Sequence, residues 1–340
     1  MRKMAGLAVM IGATLVAGCN SNNDSSTPEP SAKNVIFFLG DGMGLNTLTA
    51  ARIYGVGEEG SLTIDTLPET AFIKTFSHDA QVTDSAPSMA AYMTGVKSNN
   101  GVISMDSDAT YESDCSKSAG KPVTTLLELA KADGRGTGVV TSTRVTHATP
   151  AATYAHICNR DLEADIAAQL VPGGAGYNGA LKEGLDVVLG GGSSFFLPKA
   201  DKGKREDGRN LIDEMQAKGY QFASNLDELN QADASKPLLG LFGSSHMKYD
   251  LDRPASEPSL AQMTLAAIKQ LKGKEKGYFL MVEGGRIDHA LHDTNAKRAL
   301  QDTLAFDNAI LAAINEVKKT DPELKNTLIV VTADHDRSEE

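Results

Sequence analysis

The sequence predicts an α/β protein built on a central, mostly parallel sheet with helices on both faces. Short apolar runs that end in glycine or polar residues alternate with segments of helical periodicity, as in β-α-β units. The first of these runs, 34–39, is continuously apolar, which is typical of a strand buried on both sides. The chain has 340 residues, of which 41% are hydrophobic and 23% charged, and this composition suits a globular protein with a substantial core.

Each apolar run predicts one strand, in chain order at 34–39, 71–76, 137–142, 186–190, 238–242, 278–282 and 326–332. Helices are predicted between them at 46–54, 89–93, 123–131 (opened by Pro122), 161–170, 211–218, 226–230, 260–271 and 294–318. Residues 99–121 are rich in Ser, Asp and Gly, so they are predicted to form an irregular excursion.

The N-terminus is predicted to be a targeting segment. Arg2 and Lys3 precede an apolar run that is shorter than the roughly 20 residues of a membrane span. The run ends in small residues before Cys19, which resembles the lipobox of bacterial lipoproteins. Residues 1–18 are then expected to be removed and Cys19 to carry a lipid. An ordinary secretory signal cleaved near Ala17 is the alternative.

Residues 19–33 are polar, and they predict a flexible tether to one folded domain at 34–340. The protein is therefore expected to be exported and lipid-anchored to a bacterial membrane, facing the periplasm or the cell surface. A soluble periplasmic or secreted form is the alternative. Export permits disulfides, and Cys115 and Cys158 either pair or remain free thiols.

The formal net charge of −11 argues against a nucleic acid as partner. Such a surface does not attract phosphate esters at long range either. Any anion site must therefore be made locally, by metal ions, by arginine or by helix termini.

Acidic and histidine side chains follow three of the predicted strands at their carboxyl ends. They are Asp41, Glu283, Asp288, His292, Asp334 and His335. Because strand ends in one sheet point to one edge, these side chains are expected to converge. Asp288 and His292 are four residues apart, so one helical turn would place both on one face. Carboxylates with imidazoles favour a divalent transition metal, with zinc foremost, although each segment singly could be a turn or a structural ion pair.

Ser85 lies just ahead of the helix predicted at 89–93. A hydroxyl there lies at the positive end of the helix macrodipole, where an anion is favoured. This position suits a serine that becomes an alkoxide and then holds a phosphate. The alternative is that Asp84 or Ser85 simply caps the helix.

Six segments, in this order, resemble the alkaline phosphatase family. They are Asp41-Gly-Met-Gly, Thr83-Asp-Ser-Ala, His147-Ala-Thr-Pro-Ala-Ala, Ala155-His-Ile-Cys-Asn-Arg160, Val282-Glu-Gly-Gly-Arg-Ile-Asp-His289 and Thr332-Ala-Asp-His335. The resemblance covers residues 34–335 and implies a three-layer α/β sandwich. It also implies hydrolysis of phosphate monoesters to an alcohol and inorganic phosphate, at a site with two zinc ions and one magnesium ion.

The resemblance implies a role for each matched residue. Ser85 would be the nucleophile that becomes phosphoserine, and Arg160 would bind two phosphate oxygens with its planar fork. Asp41, Asp334 and His335, with Ser85, would hold the first zinc.

The other metals are assigned in the same way. The second zinc would be held by Asp288 and His292. The magnesium would be held by Glu283 and Thr149, with Asp41 bridging. Two further histidines would lie beside the metals, outside their coordination spheres: His147 and His289.

The family pattern changes after His335. The family places a further histidine ligand of the second zinc well downstream, whereas this sequence stops at Glu340 and has Arg337 where another histidine is common. The sequence is therefore expected to be C-terminally truncated, without the closing strands of the sheet. Weak binding of the second zinc and much reduced turnover are expected in turn. Since the family is often dimeric, a homodimer is a further expectation.

Three other functions are compatible with parts of this sequence. A sulfatase is disfavoured, because Met89 stands where the sulfatase signature has arginine. A phosphodiesterase of the same superfamily uses similar metals, but Arg160 favours a monoester with its extra charge. A lipoprotein that binds phosphate or metal without catalysis is the alternative from a different class.

Overall fold

The computed structural model describes residues 32–336. Seven strands form its framework: β1 (Asn34–Gly40), β2 (Gly136–Arg144), β3 (Val187–Gly191), β4 (Gln221–Ala223), β5 (Leu238–Leu241), β6 (Tyr278–Gly284) and β7 (Thr327–Ala333). They form one sheet in the order β4-β5-β3-β2-β6-β1-β7, and all neighbouring pairs run parallel. The predicted parallel sheet is confirmed.

Helices cover both faces of this sheet. They are α1 (Leu45–Val56), α2 (Ser85–Thr94), α3 (Leu126–Ala132), α4 (Ala148–Ala151), α5 (Glu163–Ala168), α6 (Leu211–Ala217), α7 (Leu226–Gln231), α8 (Leu260–Leu271), α9 (Arg286–His292) and α10 (Ala296–Val317). Alternate residues of β1 face opposite cores: Phe37 packs with residues of α2 and α3, and Phe38 with residues of α8 and α10. The expected three layers are therefore present.

The register of the central strands determines where the site forms. Gly40 pairs with Gly284 of β6 on one side and with Ala333 of β7 on the other. Three strands thus end at the same level, and the residues at their ends meet at one edge of the sheet. In the part of the chain that the structure describes, no helix has the length and apolar character needed to cross a bilayer.

Two predicted elements are wrong in detail. Residues 71–76 are not a strand but an exposed connection, in which the Phe72 side chain is 88% exposed. Their β-branched and aromatic residues favour a strand, but within residues 32–336 no strand pairs with them. The helix expected to open at Pro122 begins at Leu126, because Thr125 and Glu128 form a capping box there.

The remaining predictions concern the two cysteines and the ends of the chain. Cys115 and Cys158 are joined in a disulfide, so the pairing alternative is correct. The signal segment 1–18, the lipid on Cys19 and the substitution at Arg337 lie outside the described residues, as does all of the tether except its last two residues.

Candidate metal centre and nucleophile

Three carboxylates meet at the carboxyl edge of the sheet. Asp41 directly follows β1, Glu283 lies in β6 and Asp334 directly follows β7, and all three side chains are fully buried. The amide of Gly42 donates to Asp334 Oδ1 at 3.1 Å, which ties the ends of β1 and β7 together. The convergence expected from the strand ends is therefore present.

Ser85 stands at the start of α2, beside these carboxylates. Its Oγ lies 3.3 Å from each carboxylate oxygen of Asp41 and 3.4 Å from His335 Nε2. The capping role belongs to Asp84, which accepts a hydrogen bond of 2.6 Å from the Ala86 amide. The helix cap is therefore Asp84, and the Ser85 hydroxyl faces the carboxylate cluster.

The first group of potential metal ligands is formed by Asp41, Asp288 and His335, whose ligand atoms all lie within 4.8 Å of one another. His335 Nδ1 is 2.6 Å from the Asp336 carbonyl oxygen, an acceptor, so Nδ1 carries a proton. The other ring nitrogen, Nε2, then faces the carboxylates of Asp41 and Asp334, at 3.5 and 3.4 Å. A backbone carbonyl that accepts from one ring nitrogen and so orients the imidazole is typical of metal-binding histidines.

The second group is formed by Asp41, His147 and Glu283, again with ligand atoms within 4.8 Å of one another. The Thr141 and Thr143 hydroxyls both donate to Glu283 Oε2, while Oε1 has no hydrogen-bond partner among the described residues. The sequence placed His147 beside the metals. In the structure it lies as close to Asp41 and Glu283 as a ligand would.

Several buried polar atoms around this edge lack a hydrogen-bond partner within residues 32–336. They are His147 Nδ1, Thr149 Oγ1, Glu283 Oε1, Asp288 Oδ1 and Asp334 Oδ2. Buried polar groups are normally paired, so five unpaired ligand atoms at one place require an explanation. Cations coordinated by these atoms would explain why the atoms are unpaired. The donor set of carboxylate, imidazole and hydroxyl suits zinc and magnesium.

The pKa shifts of the buried carboxylates are also those expected of a site that binds cations. Burial raises the pKa of Asp41 well above its usual range, and the charges of Asp334 and Asp288 raise it further. Burial also raises the pKa of Glu283 to about 7. Like charges this close cannot all remain ionised without compensation. In the absence of cations the cluster therefore retains protons, and cations would displace them.

Asp288 and His292 lie on one face of α9, as their spacing predicted. His292 Nε2 is 3.3 Å from Asp288 Oδ2, and the His292 side chain is 46% exposed whereas that of Asp288 is 9% exposed. This pair therefore forms the outer, more open part of the site.

Arg160 reaches the same cleft from the loop before α5. Its Nη1 donates to Asp84 Oδ1 at 3.2 Å, and its Nη2 lies 3.1 Å from His147 Nε2. Burial, with the nearby Arg160 charge, holds the pKa of His147 well below its usual range, so this ring is neutral. The cleft is lined by Val82, Thr83, Asp84, Ser85, Asn100, His147, Arg160, Asp288, His289, His292 and His335.

The sequence missed one residue near this site, His246. Its ring centroid lies 4.3 Å from that of His289 and 5.3 Å from that of His147. Burial lowers the pKa of His246 to about 2 and the pKa of His289 to about 3, so these rings are neutral too. The only signal in the sequence was the position of His246 in the turn after β5, on the same edge of the sheet as the other strand ends.

Fold and site together define a parallel α/β protein with a serine nucleophile candidate beside a carboxylate–imidazole cation site and an arginine in the same cleft. The family model for alkaline phosphatase matches residues 32–339. The chain belongs to the alkaline phosphatase family.

Curated relatives agree with this assignment. The chain is 41% identical over 342 residues to the membrane-bound alkaline phosphatase of Bombyx mori, covering 89% of this chain and 60% of the relative. It is 40% identical over 343 residues to the human tissue-nonspecific isozyme, covering 89% and 63% respectively. The chain thus spans about three fifths of the length of these relatives.

Solved structures show the same fold. The Thermus thermophilus alkaline phosphatase superposes with a TM-score of 0.77 at 33% identity, covering 90% of this chain and 60% of that one. The alkaline phosphatase of the Antarctic bacterium TAB5 superposes with a TM-score of 0.74 at 29% identity, covering 90% of this chain and 80% of that one. A variant of the TAB5 enzyme, at 28% identity and a TM-score of 0.72, has magnesium bound in its M3 site, and it covers 90% of this chain and 79% of that one.

Proposed function

We propose that this chain hydrolyses phosphate monoesters through a phosphoserine at Ser85. The observation that carries the proposal is the position of Ser85 Oγ, at the start of α2 and 3.3 to 3.4 Å from Asp41 and His335, in the cleft that also holds Arg160. The Ser85 oxygen attacks phosphorus and the bond to the alcohol oxygen breaks. Water then hydrolyses the phosphoserine, so the products are one alcohol and one inorganic phosphate.

Arg160 is suited to hold the phosphoryl group. Asp84 and His147 each contact one terminal nitrogen of its guanidinium, which fixes the plane of the fork. Each terminal nitrogen has a second N–H to donate, so two phosphate oxygens can be bound at once. The positive end of the α2 dipole adds to this attraction, since Ser85 is the first residue of that helix.

The proposed cofactors are two zinc ions and one magnesium ion. Asp41, Asp334 and His335 would hold the first zinc with Ser85, while Asp288 and His292 would hold the second. Glu283 and Thr149 would hold magnesium with Asp41, and the magnesium in the M3 site of the TAB5 variant supports this choice. Bound cations would lower the pKa of the Ser85 hydroxyl and offset the charge of the phosphate.

Turnover measured on the full chain, with zinc and magnesium added, tests the proposal. We expect multiple turnovers of p-nitrophenyl phosphate, and a loss of about 1,000-fold or more in kcat for Ser85→Ala. Ser113→Ala, at an exposed serine outside the cleft, is the matched control and should retain full activity. Activity in Ser85→Ala equal to that of the control would contradict the proposal.

The same assay separates the two alternative functions. A phosphodiesterase would prefer bis(p-nitrophenyl) phosphate over the monoester. A binding protein without catalysis would take up phosphate once per chain and release no alcohol. The fork of Arg160 favours the monoester, because a monoester offers more unsubstituted oxygens to bind.

We also propose that the protein is exported and anchored by a lipid on Cys19. Disulfides persist in oxidising compartments, and the bond between Cys115 and Cys158 supports export. One relative is named as a membrane-bound enzyme. Labelling with radioactive palmitate in a bacterial host should mark the wild type and leave Cys19→Ala unlabelled. Equal labelling of both would contradict the lipid site.

A further inference from the structure

A buried ion pair outside the cleft has no part in the function proposed so far. His156 Nε2 lies 2.7 Å from Glu128 Oε1, and His156 Nδ1 lies 2.7 Å from the Ser104 carbonyl oxygen. The Glu128 side chain is 3% exposed and that of His156 is 10% exposed. The pair joins α3 to the segment that carries Arg160.

The neighbours of this pair assign its charges. The Ser104 carbonyl can only accept, so His156 Nδ1 must carry a proton. Glu128 accepts from the Thr125 amide at 2.9 Å and from Asn178 Nδ2 at 2.7 Å, so both of its oxygens act as acceptors. His156 Nε2 therefore also carries a proton, and the ring is an imidazolium beside a carboxylate.

The electrostatics support the same assignment. Burial by itself would lower the pKa of His156, but the hydrogen bond to Glu128 and its charge outweigh burial and raise it above 6.5. Burial would raise the pKa of Glu128, but its bonds to His156 and Asn178 lower it overall. Glu128, on α3, is the charged group that faces His156. The other contacts are neutral: the Ser104 carbonyl, and the side chain of Gln169, which accepts from the His156 amide at 3.0 Å.

The segment 156–160 is bound to the loop 101–104 at both ends. Ile157 and Ile103 exchange two backbone hydrogen bonds of 2.9 and 3.1 Å, and the Arg160 amide donates to the Gly101 carbonyl at 2.9 Å. His156 makes the bond to Ser104 at one end of this ladder, and Arg160 enters the cleft from the other end.

Ser104 itself is held in an uncommon conformation. It is fully buried with a φ of 47°, in the left-handed region that non-glycine residues rarely adopt. Its carbonyl accepts from both the Val123 amide and His156, and its hydroxyl donates to the Ala152 carbonyl at 2.7 Å. A strained residue persists only where its surroundings fix it, so the bond from His156 is part of what holds this loop.

We propose that the His156–Glu128 ion pair positions Arg160, and that loss of the His156 proton as the pH rises loosens the segment 156–160. The proposal rests on the proposed function for the role of Arg160 at phosphate. A neutral His156 keeps one ring proton, so it can satisfy Glu128 or Ser104 but not both. Since its folded-state pKa is raised, the stabilisation is complete below pH 6.5 and is lost as the pH rises through that folded-state value.

The protonation state is tested directly by NMR on the full chain with ¹⁵N-labelled histidine. We expect both ring nitrogens of His156 to be protonated at pH 7 and one to deprotonate at a higher pH. His78, an exposed loop histidine, provides the reference signal. A neutral His156 ring at pH 7 would overturn the proposal.

The positioning role is tested with His156→Gln, and His78→Gln is the matched control. In His156→Gln we expect hydrogen exchange at the Ile157 and Arg160 amides to accelerate about tenfold, with inorganic phosphate bound about tenfold more weakly. Both quantities should be unchanged in the control. If His156→Gln does not fold, exchange at these two amides in the wild type should still accelerate across the His156 titration, beyond the intrinsic effect of pH.

The outcomes separate this proposal from the proposed function. Faster exchange in a protein that binds no phosphate would overturn the role of Arg160 at phosphate and with it the purpose of the ion pair. Normal exchange and normal phosphate affinity in a folded His156→Gln would overturn the positioning role and leave the proposed function intact.

Discussion

At the scale of single residues, Asp41 is the side chain shared by the different parts of the site. It belongs to both groups of potential metal ligands, and its carboxylate also faces the Ser85 hydroxyl. It is fully buried at the end of a central strand, so its position is fixed by the sheet rather than by a mobile loop. A change at Asp41 should therefore affect more than one cation.

We predict that Asp41→Asn weakens the binding of both zinc and magnesium, with zinc affinity falling about 100-fold or more. The amide keeps the shape of the side chain but removes the charge that two cations would share. Competition with a chromophoric chelator measures the loss. Asp108→Asn, at an exposed aspartate, is the control and should bind as the wild type does. Unchanged metal affinity in Asp41→Asn would show that the carboxylate is not a ligand.

Glu283 gives a prediction about pH. Its pKa is raised to about 7 in the metal-free site, above the usual 4.5, so the folded state holds a proton that the unfolded state releases. The metal-free protein should lose stability as the pH rises from 4.5 through about 7. Urea unfolding of the chelator-treated chain at several pH values measures this slope, and Glu283→Gln should flatten it. An equal slope in both proteins would contradict the assignment.

At the scale of elements, the strand ends were predictable and the connections were not. Continuous apolar runs gave β1, β6 and β7, and parallel strands necessarily bring Asp41, Glu283 and Asp334 to one edge. The run at 71–76 is also rich in aromatic and β-branched residues, but no strand of the described residues pairs with it. Pairing partners are not visible in a local sequence pattern. His246 was missed for a related reason, because only the assembled sheet brings the turn after β5 next to His289.

The helix α9 carries a prediction about the second zinc. Asp288 and His292 are its two proposed ligands, and the His292 side chain is about half exposed. Catalytic zinc usually has three protein ligands, so we expect two classes of zinc affinity, with the weaker one at α9. His292→Ala should weaken only the weaker class in a metal titration. A single class of zinc site, unaffected by His292→Ala, would refute this assignment.

At the scale of the whole molecule, the long excursion between α2 and α3 is joined to the rest of the domain near the cleft. The disulfide connects Cys115 of this excursion to Cys158, two residues before Arg160. Tyr111 and Asp161 add a hydrogen bond between the same two segments. The excursion is thus a structural support for Arg160 rather than a free loop.

Removing the disulfide should therefore lower stability. We predict that the double variant Cys115→Ser, Cys158→Ser loses about 2–4 kcal/mol of unfolding free energy, because the bond closes a loop across 43 residues. Urea unfolding at constant pH measures the change. Wild-type protein under reducing conditions should behave like the variant. Equal stability of the oxidised and reduced wild type would contradict this structural role.

The proposed function depends on phosphorylation of Ser85 during turnover, and the phosphorylated residue can be identified directly. The full chain with zinc and magnesium is mixed with a phosphate monoester, quenched in acid and digested, and the modified residue is located by mass spectrometry. We expect one phosphate on Ser85, absent in Ser85→Ala and unaffected in Ser113→Ala. Turnover of the monoester without phosphate on Ser85, or with phosphate on another residue, would contradict it.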